Sequence, residues 1–310
     1  ARRFNIGMSL DAEECARLEL TMDVFEWLCE LPELEDWQGL GFVLQAYQKR
    51  ALEVAEWLIA LAQSRPTGLM VRLVKGAYWD AEIKIAQQRG LTDYPVFTRK
   101  SHTDLSYEAC MRTLLACPDI YCQFATHNAL TIAQIREAGG ECGRPFEFQK
   151  LHGMGDLLYA LLEEQDPSLR VRTYAPVGQH EDLLPYLVRR LLENGANSSF
   201  VNRFLDANLP VSELVSDPLN TLSSDATSSP SQIPLPRNIF QGSDIPWLSS
   251  AGFDLDERTT GIKFETANFQ MTELSSDSSQ RPECGTDMTE NSTGDLRSST
   301  SPADSSVVGQ

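Results

Sequence analysis

Leu69-Met70-Val71-Arg72-Leu73-Val74-Lys75-Gly76-Ala77-Tyr78-Trp79-Asp80 begins as a buried strand and ends in a glycine, two aromatics and an acid, and a helical pattern follows at once. Side chains alternate along a strand. Leu69, Val71 and Leu73 therefore share a wholly apolar face suited to covering helices, while Met70, Arg72, Val74 and Gly76 share the other. Burying an arginine is costly unless something anionic or polar meets it. Arg72 thus marks either an ion pair with a carboxylate from a neighbouring strand or a binding site, and this segment alone leaves both open. Gly76 gives close backbone access just beyond it.

On either side of this strand the chain repeats the same unit. Six strand-like segments end near Asp11, Gln45, Lys75, His127, Leu151 and Val177. Helical periodicity follows at roughly 12–30, 50–64, 79–89, 103–116, 129–138, 154–165 and 180–194. The stretch from Thr98 to Cys117 supplies an extra helix between two strands. Repeated βα units predict a parallel α/β sheet. Chemical side chains close most of these strands: Asp11 the first, Gln45 the second, Arg72 and Lys75 the third. Thr126, His127 and Asn128 close the fourth, Gln149 the fifth and Tyr174 the sixth. Functional groups at every strand end belong to a (βα)8 barrel, whose site is built from the βα loops. An open sheet gathers them at one switch point instead. No G-x-G-x-x-G or Walker loop is present. Six strands where closure needs eight predict a TIM-like barrel lacking its first two strands, which would lie upstream of residue 1.

The chain has 310 residues and a formal net charge of -18, with a pI near 4.6. That balance argues against a nucleic-acid partner. No apolar run is long enough to cross a bilayer, since Trp57-Leu58-Ile59-Ala60-Leu61-Ala62 is soon ended by Gln63. No signal peptide opens the chain and residue 1 is alanine, which reads as an excised piece or a partial reading frame. Seven scattered cysteines without a C-x-x-C pair fit a reduced cytosolic protein with no structural zinc, and no metal site is expected. Composition shifts near residue 205 toward Ser, Thr, Asp and Pro. The expected organisation is a barrel over 1–204, a linker or extended arm over 205–271, and a disordered low-complexity tail over 272–310.

Taken singly, the candidate residues keep two readings. Asp11 either holds a substrate amine or caps the helix that starts near Ala12, the commoner role for such a residue. His127 and His152 are bases, ligand contacts or hydrogen-bonded strand-end histidines. Arg189 and Arg190 are either a clamp for a carboxylate or solvated cations bridging to Glu193.

Together the segments are specific. Arg72-Leu73-Val74-Lys75-Gly76-Ala77-Tyr78-Trp79, Gln123-Phe124-Ala125-Thr126-His127-Asn128, Phe148-Gln149-Lys150-Leu151-His152-Gly153-Met154-Gly155 and Tyr174-Ala175-Pro176-Val177-Gly178 occur in that order. A run from Leu187 to Asn197 and Ser199-Phe200-Val201-Asn202-Arg203 follow. This ordered set, over about residues 4–204, strongly resembles the proline dehydrogenase domain of the bifunctional bacterial proline utilization flavoproteins. The resemblance implies a distorted (βα)8 barrel holding FAD noncovalently. It implies oxidation of L-proline to 1-pyrroline-5-carboxylate, a hydride leaving the ring carbon beside nitrogen for flavin N5. It also implies electron transfer to a quinone at the membrane surface, by a cytoplasmic protein peripheral to the inner membrane, as the first step of proline catabolism to glutamate. A partner aldehyde dehydrogenase domain would stand in the parent protein.

By the same resemblance Arg72 lies beside flavin N5, where a fixed cation stabilises the reduced cofactor. Gln45, Val74, Gly76, Trp79, Thr126, His127, Asn128, Gln149 and Glu193 match other flavin-contacting positions. Asp11, Tyr78, Leu151, Tyr174, Arg189 and Arg190 match the substrate pocket: the arginines clamp the carboxylate, Tyr78, Tyr174 and Leu151 shape an apolar slot, and Asp11 joins the polar network near the amine. Arg72, Tyr174, Arg189 and Arg190 would carry catalysis. The family's first barrel strand brings a pocket lysine with no counterpart here. The DNA-binding segment, the helical arm and the aldehyde dehydrogenase domain also have no counterpart. Two missing strands would expose two sheet edges. The expectation is a chain that folds poorly and binds flavin weakly, and a catalytically inactive remnant or interaction module is the competing reading.

Overall fold

A computed structural model of the chain describes residues 1–195, 233–242, 249–260 and 262. The strands are β1 (Met8–Asp11), β2 (Leu40–Gln45), β3 (Leu69–Val74), β4 (Ile120–Ala125), β5 (Glu147–Leu151) and β6 (Val171–Tyr174). The helices are α1 (Leu18–Glu30), α2 (Ala51–Gln63), α3 (Trp79–Arg89), α4 (Lys100–Ala116), α5 (Ala129–Cys142), α6 (Asp156–Gln165) and α7 (His180–Gly195). The six strands form one sheet in the order β1-β2-β3-β4-β5-β6, and every neighbouring pair is parallel.

That order decides the architecture. Parallel crossovers are right-handed. When strand order never reverses, every crossover helix falls on the same face of the sheet. A doubly wound sheet requires a reversal and places helices on both faces. The sheet is therefore an arc of a (βα)8-type barrel, with α3 and α4 both inserted between β3 and β4 as the sequence predicts.

The burial pattern of β3 follows from this. Leu69, Val71 and Leu73 are buried on the helix side, while Met70, Arg72 and Val74 are half-buried on the other. The main core lies between sheet and helices. Phe42 and Phe25 meet edge to face with ring centroids 5.1 Å apart, and Trp57 stands 6.0 Å from Phe42. Phe124, Phe146, Phe148 and Tyr159 form a second aromatic group farther along the sheet. Arg65 is a buried cation with a purely structural job. It donates to the carbonyl of Cys29 in the last turn of α1 at 2.6 Å and to that of Leu34, in the 3-10 turn that follows, at 2.8 Å, satisfying acceptors left over at both.

Several boundaries differ from the sequence expectation, each for a local reason. Strand β4 stops at Ala125 rather than His127, because the Thr126 hydroxyl accepts from the Asn128 amide at 3.2 Å and turns the chain. Strand β6 stops at Tyr174 rather than near Val177; Pro176 cannot donate to a ladder, and Val177 is 98% exposed. Helix α1 starts at Leu18 rather than Ala12, after a short 3-10 turn over Cys15–Arg17 that Glu82 pins by accepting from the Cys15 amide at 2.8 Å. Helix α4 starts at Lys100, three residues earlier than expected.

A smaller core of Cys15, Tyr47, Ile83, Leu91, Tyr94 and Val96 closes one end of the sheet. Later chain is tied to it. The Tyr94 hydroxyl donates to the Pro234 carbonyl at 2.7 Å, and the Gly252 amide donates to the Gly90 carbonyl at 2.8 Å. Most of the expected linker and all of the expected tail lie outside the described residues.

Phe42 is fully buried at the centre of the first aromatic group. Phe42→Ala is expected to cost about 3–5 kcal/mol in urea unfolding, the range for deleting a buried ring. A loss below 1 kcal/mol (roughly the cost of an ordinary surface change) would contradict this packing.

Candidate active site

The register stacks the inward side chains in levels. Asp11 pairs with Val43, Val43 with Arg72, Arg72 with Gln123, and Gln123 with Glu147. One level nearer the strand ends, Gln45 pairs with Val74, and Ala125 pairs with Gln149, itself beside Arg172. Leu151 and Tyr174 pair one further level along. Residues far apart in sequence thus meet across the concave face.

Arg72 lies between two strand ends. Its guanidinium stands 3.6 Å from the Asp11 carboxylate and donates to Gln149 Oε1 at 3.5 Å. Arg72 pairs with a carboxylate from another strand and also lines an open cleft. Asp11 is not the helix cap that its position favoured, since Arg17 occupies that place at α1. Instead Gln45 Nε2 donates to Asp11 at 3.3 Å and to the Ala12 carbonyl at 3.3 Å. Burial, reinforced by Glu13, pushes the Asp11 carboxyl above its ordinary value against the pull of Arg72.

The cleft has a volume of about 810 Å3. Asp11, Gln45, Arg72, Val74 and Gly76 line one wall, and Trp79 continues it. Thr126, His127, Asn128, Leu151, Tyr174 and Arg190, from the later βα units, line the cleft too. Gly76 has φ of +130°, and a Cβ there would stand 2.3 Å from the Tyr47 ring. Tyr47 is therefore a local reason for that glycine. The Trp79 indole donates to the Phe97 carbonyl at 2.8 Å. Asn128 caps α5 by accepting from the Thr131 amide at 3.2 Å.

His127 is a hydrogen-bonded loop histidine. Its Nε2 accepts from the Leu151 amide at 3.1 Å, which requires a lone pair on that nitrogen. Burial, then the charges of Arg190 and Lys150, push its pKa below the ordinary histidine value, so the ring is neutral. His152 donates its backbone amide to Tyr174, and its side chain is exposed. Tyr78 does not line the cleft itself; its hydroxyl donates to Glu13, which does. Gln149 lies beneath Arg72 and is buried. Arg190 lies over the Tyr186 ring, 4.7 Å from its centroid, one helical turn away. The side chains of Arg189 and Glu193 lie outside the described residues, so the Arg-Arg clamp is represented here by Arg190 alone.

Some lining groups have no role assigned by the sequence: Lys75 stands at the end of β3 without one, and Lys100, Asp104, Glu13 and Tyr47 are not among its candidates. Lys75 donates to Asp104 at 2.5 Å, and Lys100 donates to the same carboxylate at 2.5 Å. Burial pushes the Lys75 ammonium down against the pull of Asp104. Burial opposes the Asp104 charge, but the two lysines outweigh it and hold that carboxyl below its ordinary range. The spacing of Lys100 and Asp104 on α4 was a signal, since residues four apart share a helix face. Glu13 and Tyr47 gave none. Among the described residues no group of three or more His, Cys, Asp or Glu is placed to hold a metal, and no helix is long and apolar enough to cross a membrane.

A barrel arc with an open cleft at the C-terminal strand ends defines a βα-barrel domain with the cleft where such folds carry their sites. The family model described as proline dehydrogenase matches residues 1–203, and the chain belongs to that family. It is 53% identical over 268 residues to the bifunctional protein PutA of Salmonella typhimurium, covering 82% of this chain and 20% of that protein. It is 31% identical over 159 residues to the hydroxyproline dehydrogenase of Bos taurus, covering 48% of this chain and 34% of that one. A crystal structure of a mutant Bradyrhizobium japonicum proline utilization A superposes with a TM-score of 0.80 at 49% identity, covering 86% of this chain and 27% of that one. The chain thus spans about a fifth of the length of its PutA relative.

Asp11 gives a pH test. Its folded pKa is raised from 3.8, so its contribution to stability is fully present below that value and is lost as pH rises through the folded pKa. Asp11→Asn removes the titration. Relative to wild type, the variant is expected to gain stability as pH rises from 3 to 7 (a window on the order of the carboxylate range). Chemical denaturation across that range checks it, and a difference that shrinks with rising pH would contradict it.

Proposed function

We propose that the domain oxidises L-proline to 1-pyrroline-5-carboxylate with FAD in the cleft, passing electrons to a quinone acceptor. The observation that carries this reading is Arg72, a cation held on the concave face between Asp11 and Gln149 and open to the cleft.

The donor set suits FAD. The cleft volume of about 810 Å3 falls in the range of cofactor sites. Gln45 Oε1 is buried without a hydrogen-bond partner while its Nε2 is committed to Asp11 and Ala12, leaving one acceptor for a ligand donor. Arg72, Gln45, Gln149 and the Thr126-His127-Asn128 turn would hold the flavin, with Val74, Gly76 and Trp79 as its wall; Glu193 joins them by resemblance. When bound, FAD supplies the two-electron acceptor that no side chain provides.

The chain's own groups do the rest. Arg190, with Arg189 beside it in sequence, binds the substrate carboxylate. Tyr174 and Leu151, paired across β5 and β6, flank an apolar slot for the ring, and Tyr78 is held nearby by Glu13. Asp11 accepts a hydrogen bond from the amine and orients it. Neutral His127 adds no further positive charge beside Arg72 and Arg190. Arg72 supplies a fixed positive field where negative charge develops, without reorganisation during the step.

The parent protein would carry an aldehyde dehydrogenase partner domain and work in the cytoplasm at the inner membrane surface; the bifunctional relatives support this. Hydroxyproline is the second substrate to compare, given the 31% identical relative. Tyr174 favours proline.

Anaerobic addition of L-proline to the FAD-loaded protein is expected to bleach the flavin absorbance. A loaded protein that stays yellow with excess proline would overturn the reading. Arg190→Met is expected to raise the KM for proline roughly 10–100-fold, the worth of a charge-assisted hydrogen bond. Its FAD content is expected to change little, and equal losses in both would make Arg190 structural.

A further inference from the structure

Glu147 is a buried carboxylate on the concave face, 3% exposed, one level below the cleft wall. Every hydrogen bond it makes is a received one. Arg172 grips it with two, Nε to Oε1 at 2.8 Å and an Nη to Oε2 at 2.9 Å. The Tyr121 hydroxyl donates to Oε2 at 3.2 Å. Gln149, two residues along β5 on the same face, donates its Nε2 to Oε1 at 2.8 Å. Burial works against the charge of Glu147, yet Arg172, Gln149 and Tyr121 outweigh it and hold its carboxyl below the ordinary range.

The consequence lies at the far end of Gln149. A primary amide has one donor side and one acceptor side. An ionised carboxylate only accepts, so it fixes which side of the amide faces it. With Nε2 committed to Glu147, Oε1 faces Arg72, and Arg72 donates to it at 3.5 Å. Were the amide reversed, its NH2 would face the guanidinium and the carbonyl would face the carboxylate. Both contacts would turn from attraction to repulsion.

We propose that Glu147, clamped by Arg172, is a positioning residue that fixes the orientation of the Gln149 amide and through it the guanidinium of Arg72. It touches neither substrate nor cofactor in this account, which rests on the proposed flavin site. Glu147 acts through Gln149, so removing its charge matters only while Gln149 is present to transmit it.

A double-mutant cycle on FAD affinity tests this. Glu147→Gln is expected to weaken FAD binding about tenfold, the scale of one charge-assisted hydrogen bond. Gln149→Leu alone weakens it as well. Adding Glu147→Gln to Gln149→Leu is expected to change affinity less than about twofold, within the scatter of additive pairs. Fully additive losses, or an unchanged affinity in Glu147→Gln, would overturn the proposal. A second readout needs no flavin. In the protein without FAD, the side-chain amide protons of Gln149 are expected to exchange with solvent at least ~10-fold faster after Glu147→Gln, because their anionic acceptor is gone. Unchanged exchange would overturn the relay. A wild-type protein that binds no FAD would sink the proposed function instead, and the exchange experiment would still decide the relay.

Discussion

The arrangement depends on one constraint: a half-buried arginine on a parallel strand must be met by polar partners from its neighbours. Register satisfies it. Because β1 through β6 run parallel in unbroken order, Asp11, Arg72 and Gln149 converge on the concave face although the first and last are 138 positions apart. The same register sends Leu69, Val71 and Leu73 to the helices, so the strand that carries the cation also anchors the core. A slip of one residue would exchange the two faces and place Arg72 among buried aliphatics.

From that constraint the cleft acquires its chemical lining. Asp11, Leu151, Tyr174 and Arg190 all line the cleft, and these are the groups the proposed function assigns to the amino-acid substrate. Lys75 at the end of β3 and Lys100 on α4 also line it, two cations sharing the Asp104 carboxylate. The Glu147 network supports the floor. Polar side chains beneath the site are thus paired with one another, as a buried polar layer requires.

Much of this was legible in the sequence. The alternation in β3 gave both its faces, and chemical residues at successive strand ends pointed to a barrel. Local geometry was less legible. Asp11 read as a cap by its residue type, yet the 3-10 turn at Cys15 delays α1 and frees that carboxylate for Arg72. The end of β4 was misplaced because a Thr126–Asn128 turn leaves no trace in hydrophobic periodicity. Glu147 was invisible for a different reason. A carboxylate at the start of a strand looks like an exposed edge residue until the partners Arg172, Tyr121 and Gln149 arrive from other positions.

The central claim is that Arg72 is the fixed cation of a flavin site, and the midpoint potential of bound FAD tests it most directly. Arg72→Met removes the charge while keeping a side chain of similar reach. The account predicts a potential lower by at least about 30 mV, equal to a tenfold change for a two-electron couple. An unchanged potential at full FAD occupancy would contradict it.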